Sequence, residues 1–180
     1  MTDIATIMRT SAVIPVLVID DAATAKPLAE ALVAGGLKVL EVTLRTPAAL
    51  EAMAEMKKVP GAIVGAGTVV NEQQLRDVAD AGAEFIVSPG LTDRLGAAVI
   101  DSGIPYLPGI ANAGDIMRGL DLGLTHFKFF PAETSGGLKA LKALAAPSIR
   151  PASAPPAASP RRARRTGSPS TVCSASVVAG

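Results

Sequence analysis

The sequence predicts an α/β protein built on a parallel sheet that curls into a barrel, and three observations carry that expectation. Short apolar runs alternate with longer amphipathic segments up to about residue 146, glycines stand where the helices must stop, and polar residues recur just past the ends of successive apolar runs.

The apolar runs are Val13–Ile19, Lys38–Thr43, Ala62–Gly67, Glu84–Ser88, Pro105–Pro108 and His126–Phe130, one about every 20 to 25 residues. They predict six strands. Between them Ala22–Ala34, Ala48–Lys58, Glu72–Ala81, Asp93–Asp101, Gly114–Leu122 and Gly136–Ala145 place apolar residues at helical spacing, as Leu28, Leu32 and Val33 do in the first. Gly35-Gly36, Gly82, Gly103 and Gly123 mark helix ends, because the position after a helix favours a left-handed residue. Thr46-Pro47 reads as the N-cap and first-turn proline of the second helix. A strict βαβα alternation with short connections implies a parallel sheet, doubly wound or closed.

The polar residues decide between those two. Val18-Ile19-Asp20-Asp21-Ala22 has no glycine-rich turn to cradle a pyrophosphate, which weakens a dinucleotide-binding fold. Instead Glu41 and Arg45 follow the second strand, Gly67-Thr68 the third, Ser88-Pro89-Gly90 the fourth and Pro108-Gly109 the fifth, with Lys128 in the sixth. Polar groups spread over many strand ends are how a barrel assembles a site.

Composition narrows the class further. The core must come from Ala, Val, Ile and Leu, since the chain has no Trp, one Tyr and four Phe. Cys173 stands alone, which excludes a disulfide scaffold. No run of about 18 apolar residues is present, and the opening Met1–Thr10 has no apolar stretch of the secretory type, so the expected compartment is the cytoplasm.

Lys128 is the most informative residue. It interrupts His126-Phe127-Lys128-Phe129-Phe130, a strand otherwise suited to burial, so its side chain points into the barrel or at a covering helix. Burial disfavours the ammonium and prepares a neutral amine to attack a carbonyl. The bland alternative is a lysine that snorkels to the rim or pairs with Glu41 or Glu133. In Leu40-Glu41-Val42-Thr43-Leu44-Arg45-Thr46, alternation puts Glu41 and Thr43 on one face. Glu41 supplies the base that an iminium chemistry needs, and Arg45 a fork for a substrate carboxylate, unless the two form a rim salt bridge with each other. Gly65-Ala66-Gly67-Thr68 lets backbone amides and a hydroxyl approach a ligand, although a tight turn explains it as well. Pro89-Gly90 and Pro108-Gly109 read as turns, and His126 as a lower-layer barrel residue.

Five segments together resemble a known family. Glu-Val-Thr-Leu-Arg-Thr at 41–46, Gly-Ala-Gly-Thr-Val at 65–69, Val-Ser-Pro-Gly at 87–90, Tyr-Leu-Pro-Gly-Ile at 106–110 and Lys-Phe-Phe-Pro-Ala-Glu at 128–133 are similar to the 2-keto-3-deoxy-6-phosphogluconate (KDPG) aldolases, class I aldolases of the Entner–Doudoroff pathway with relatives that cleave 4-hydroxy-2-oxoglutarate (KHG). The resemblance runs from about residue 10 to 146. It implies a (β/α)8 barrel, of which six βα units are recognisable here, a homotrimer, no metal and no cofactor. It implies Lys128 as the Schiff-base lysine, Glu41 as the proton-transferring base, Arg45 and Thr68 as holders of the pyruvate carboxylate, and Pro89 as a further substrate contact. The implied ligands are a phosphorylated keto sugar acid and pyruvate.

The charge pattern breaks where the resemblance stops. Residues 1–133 hold all 16 acids and 10 Lys/Arg, a net −6, whereas residues 134–180 hold 7 Lys/Arg and no acid, a net +7. From Pro147 onward, 25 of 34 residues are Ala, Ser, Pro or Arg. The family continues with an Arg-Phe-Cys-Pro-Thr-Gly-Gly-type phosphate turn and a Gly-Gly-Ser-Trp-type segment, and the chain as written has neither. Both are legible out of frame. Read two bases in, the codons permitted by Ala152–Ser159 allow Phe-Cys-Pro-Thr-Gly-Gly-Ile, and those of Thr166–Gly180 allow a segment ending Gly-Gly-Ser-Trp. The expectation is therefore a barrel over 1–146 and, over 147–180, a frameshifted, disordered tail in place of strands seven and eight. Strands one and six would then be unpaired edges, and the chain as written would aggregate and have impaired activity.

Taken at face value, Arg161-Arg162-Ala163-Arg164-Arg165 is a basic arm for nucleic acid or a membrane surface. The frame change accounts for those arginines, so neither partner is expected. A non-catalytic barrel that binds a keto acid or phosphate is the remaining alternative.

Overall fold

A computed structural model describes residues 3–148. The order is α1 (Ile4–Thr10), β1 (Val16–Leu17), a 3-10 turn (Ala22–Thr24), α2 (Ala25–Ala34), β2 (Val39–Thr43), α3 (Ala49–Met56), β3 (Ile63–Gly67), α4 (Glu72–Asp80), β4 (Ile86–Ser88), α5 (Asp93–Ser102), β5 (Tyr106–Ile110), α6 (Ala113–Asp121), β6 (Lys128–Phe129) and α7 (Gly137–Ser148). The expectations for the tail fall on residues 149–180 and lie outside the described residues, apart from Pro147 and Ser148, which end α7.

The six strands form one parallel sheet in sequence order, β1 to β6. Each βα unit adds a strand beside the last, the arrangement of a barrel wall rather than of a doubly wound sheet, whose order reverses at a switch point. Among the described residues β1 pairs only with β2 and β6 only with β5, so both are edges there. No helix among the described residues is long and apolar enough to cross a membrane.

Alternation along the strands sorts the core into two layers. Leu40, Val42, Val64, Ala66, Ile86 and Tyr106 face outward onto α2, α3, α4 and α5, where small residues such as Ala25, Ala29, Ala49 and Ala52 let the helices approach. Val39, Phe85, Val87 and Leu107 face the concave side and pack around Ile7 of α1. A third cluster seats Phe127 and Phe129 against Ile110 and Ile116. Lys128, between those two phenylalanines, therefore faces the concave side.

Local chemistry fixes the helix ends. Asn71, Thr92 and Asn112 accept hydrogen bonds from the backbone N–H groups of Gln74, Leu95 and Asp115 at 2.9, 3.2 and 3.0 Å. Gln74 and Asp115 reach back to accept from the N–H groups of Val70 and Ala111, the residues before the two caps, tying the incoming chain to the helix start. Gly103 ends α5 with φ +72°, a left-handed conformation that a side chain would strain.

Three details depart from the sequence expectation. α1 was not expected; Asp3 caps it by accepting from the Thr6 N–H at 2.7 Å, and Ile4, Ile7 and Met8 pack beneath the sheet. Thr46 does not cap the second long helix, which starts at Ala49 with no side-chain cap; its hydroxyl donates instead to the Ile19 carbonyl, tying the β2 and β1 ends together. β1 and β6 are two residues each, shorter than their apolar runs, because each gains a ladder on one side only.

Candidate active site

Alternation in β2 places Glu41 on the concave face two residues above Val39, at the upper end of the sheet. Lys128 reaches the same space from β6. Its Nζ lies 3.3 Å from Glu41 Oε1 and 3.5 Å from Oε2, although the two strands are four positions apart in the sheet. That contact requires a strongly curled sheet. Glu41 is 4% and Lys128 8% exposed, so the pair is shielded from water, where a charge interaction is worth far more than at a surface. The sequence left Glu41, Glu133 and Arg45 as possible ion-pair partners; the pair that forms is Lys128–Glu41, and Glu133 is exposed.

Electrostatics distinguishes Glu41 from a surface carboxylate. Burial pushes its carboxyl above the ordinary value, against the pull of the Lys128 ammonium and, more weakly, of Arg45. A carboxyl whose charged form is disfavoured by burial and favoured by a neighbouring cation is suited to take and return a proton. Lys128 Nζ also lies 5.3 Å from the centroid of the Phe130 ring, which caps the amine with an apolar, electron-rich surface.

The remaining residues singled out in the sequence fall into two groups. Arg45 stands exposed on the turn after β2, close enough to act on Glu41. Thr68 follows β3 with φ +63°, the one non-glycine residue with positive φ among the described residues and a costly conformation for a β-branched side chain. Pro89 is exposed after β4. Ser88, by contrast, turns away from the concave face: its hydroxyl is 2.7 Å from the Tyr106 hydroxyl and donates to the Gly90 carbonyl. Thr43 shares the Glu41 face but spends its hydroxyl on the Leu17 carbonyl at 3.0 Å. His126 is half-buried at the opposite end of β6, near Arg9 and Asp3.

Phe130 is a site component that sequence reasoning passed over; Gly65 and Gly67 were read there as room for a ligand to approach, whereas side chains of Phe85 and Glu41 lean over these two glycines of β3. Their signal was present: β3 offers Gly65 and Gly67 to the concave face where its neighbours offer Phe85, Glu41 and Val87. Among the described residues no group of three or more His, Cys, Asp or Glu is placed to hold a metal ion. Two surface grooves lie away from the pair. One, of about 480 Å³, has arginines 76 and 94 already paired with Glu72; the other, of about 750 Å³, presents Asp20, Asp21, Glu51 and Glu55, the wrong charge for an anionic ligand.

Comparison with known proteins gives a consistent result. The family model for KDPG and KHG aldolase matches residues 4–152. The 2-dehydro-3-deoxy-phosphogluconate aldolase of Zymomonas mobilis is 63% identical over 145 residues, covering 81% of this chain and 70% of that one. The crystal structure of the Zymomonas mobilis ZM4 enzyme with 3-phosphoglycerate superposes with a TM-score of 0.79 over the same shares. A Legionella pneumophila KDPG aldolase, with pyruvate captured at low pH as a covalent carbinolamine intermediate, is 48% identical with a TM-score of 0.75, covering 78% of this chain and 69% of that one.

Proposed function

This chain belongs to the KDPG and KHG aldolase family, whose members are class I aldolases, and from that premise we propose that Lys128 and Glu41 carry a Schiff-base retro-aldol cleavage in it. The observation that carries the reading is the buried amine–carboxylate pair, 3.3 Å apart on the concave face.

The chemistry follows from that geometry. The Lys128 amine attacks the C2 ketone of a 2-keto acid, giving a carbinolamine. Loss of water makes the protonated imine, which draws electrons from C3. Glu41 takes the C4 hydroxyl proton through water; the C3–C4 bond breaks, its electron pair moves into the imine, and an aldehyde leaves. The enamine takes a proton at C3, and water hydrolyses the imine to pyruvate and free Lys128. No external oxidant, reductant or cofactor is needed. Arg45 and Thr68 hold the substrate carboxylate and Pro89 lines the site.

The substrate is 2-keto-3-deoxy-6-phosphogluconate, cleaved to pyruvate and glyceraldehyde 3-phosphate, with 4-hydroxy-2-oxoglutarate as the alternative that the family also contains. The resemblance further supports a homotrimer in the cytoplasm. The domain division is likewise a proposal: a barrel over 1–146 and an out-of-frame segment over 147–180. In it the imine chemistry of the described part is intact, while handling of the phosphorylated end is impaired. The nucleotide sequence across codons 140–180 tests the frame; the same tail found intact at protein level contradicts it.

Borohydride reduction in the presence of pyruvate tests the site. The expected result is a pyruvyl adduct on the peptide containing Lys128; an adduct confined to another lysine, or none on a folded sample, contradicts the assignment.

A further inference from the structure

β3 is bare where the site needs room. Its concave-facing residues in the upper part of the sheet are Gly65 and Gly67, and both spaces are taken by side chains leaning in from neighbouring strands. A Cβ placed on Gly65 would come 2.4 Å from the Phe85 ring; one placed on Gly67 would come 2.3 Å from Glu41 Oε1, 2.8 Å from Cγ and 2.9 Å from Cδ. The Glu41 side chain therefore rests on the Gly67 backbone. It rises from β2, where Glu41 is paired with Gly65, and crosses toward β3 one rung higher. Among the described residues its carboxylate makes no hydrogen bond other than the Lys128 contacts, so the surface beneath it and the amine beside it are what orient it.

We propose that Gly67 is a positioning residue: the absence of a side chain there is what lets the Glu41 carboxylate lie with both oxygens within 3.5 Å of Lys128. The inference rests on the aldolase reading for its catalytic consequence. The crowded glycines of β3 and β5 fail in different ways. At Gly109 a Cβ would meet the Pro89 carbonyl at 2.3 Å, a backbone atom that cannot step aside. At Gly65 it would meet Phe85, fully buried with nowhere to go. At Gly67 it would meet only side-chain atoms of Glu41, from Cγ outward, and rotation about the Glu41 Cα–Cβ and Cβ–Cγ bonds swings them away. Gly67→Ala therefore spares the fold and moves the carboxylate, and a displacement of about 1 Å in a proton-transferring group is enough to cost up to about 100-fold.

The test compares Gly67→Ala, Gly65→Ala and Gly67→Ala/Glu41→Asp with the parent in the full chain. Deuterium exchange at the pyruvate methyl group reports proton transfer on the imine, and acylation of Lys128 relative to exposed Lys26 reports the ion pair whether or not the chain is an aldolase. Gly67→Ala is expected to lower exchange about 10- to 100-fold and to raise the Lys128/Lys26 acylation ratio about threefold or more as the carboxylate leaves, with a melting temperature close to the parent's. Gly65→Ala melts well below the parent. Glu41→Asp still has a carbon at the Cγ position, 2.8 Å from the new Cβ, so shortening does not relieve the contact, and the double variant exchanges no faster than Gly67→Ala. An acylation ratio in Gly67→Ala unchanged from the parent, or a melting temperature as low as that of Gly65→Ala, overturns the proposal. A parent without exchange overturns the aldolase reading instead, and the acylation ratio still decides the role of Gly67.

Discussion

The concave side of the sheet is two different materials stacked along the strands. Toward the N-terminal ends, Val39, Phe85, Val87 and Leu107 close around Ile7 of α1 as a dry apolar plug. Toward the C-terminal ends, Glu41, Thr43, Gly67 and Lys128 make a polar chamber crossed by the ion pair between Glu41 of β2 and Lys128 of β6. The same period-two alternation builds both, and only the residue identities change from one rung to the next. The lower part is held by close packing, so substitutions there should cost stability. The upper part holds one buried charge pair, so substitutions there should cost chemistry while the fold survives.

The sharpest separation is expected at Lys128. Lys128→Met removes the amine, and trapping with pyruvate should fall to background. The folded state should persist, because a carboxyl already pushed up by burial accepts a proton when its cation is gone instead of remaining as an unpaired buried charge. A Lys128→Met chain that still forms the reduced adduct breaks the assignment. In the lower half, Phe85→Ala should cost about 3–5 kcal/mol of stability by leaving a cavity. Pyruvate trapping per folded molecule should be retained, so chemical denaturation and trapping measured on one sample check the contrast.

The pH dependence sharpens it further. Glu41 is raised in the folded state, so its contribution to stability is fully present below its unfolded value and is lost as pH rises through the folded one. Proton transfer needs the ionised carboxylate and should appear across that same interval. Methyl exchange should therefore switch on above the ordinary carboxylate range while this group's share of stability declines. Denaturation midpoints and exchange rates over a pH series check the opposite slopes.

The smallest effect is expected at Thr68. Its left-handed backbone costs about 1–3 kcal/mol, of which glycine would return a part after its own entropy is counted. Thr68→Gly should raise stability by about 1 kcal/mol and weaken pyruvate capture, visible as a melting temperature a few degrees higher.

Much of this was legible in the sequence. The six strands, the six long helices and the glycine stops followed from periodicity, and Lys128 stood out because a charge interrupts an otherwise apolar strand. α1 escaped notice because seven residues at the chain start give too few apolar repeats to show a period, although Asp3 followed by Ile4, Ile7 and Met8 is a capped amphipathic turn. Ser88 was grouped with the site by its position at a strand end; alternation, applied strictly from Val87, points it outward to Tyr106. The seat on Gly67 was not legible, because a side chain leaning across to the next strand depends on rotamers and curl that no linear spacing encodes. The identity of the third strand's glycines was visible, but their two separate occupants were not.

The most direct test asks whether Lys128 and Glu41 hold separate roles in one reaction. Deuterium exchange at the pyruvate methyl group and borohydride trapping would be measured side by side on the full chain, Lys128→Met and Glu41→Gln. The account predicts that Lys128→Met loses both, whereas Glu41→Gln still traps pyruvate on Lys128 but exchanges about 10²–10⁴-fold more slowly. Exchange at the parent's rate in Glu41→Gln, or trapping that survives in Lys128→Met, would contradict it.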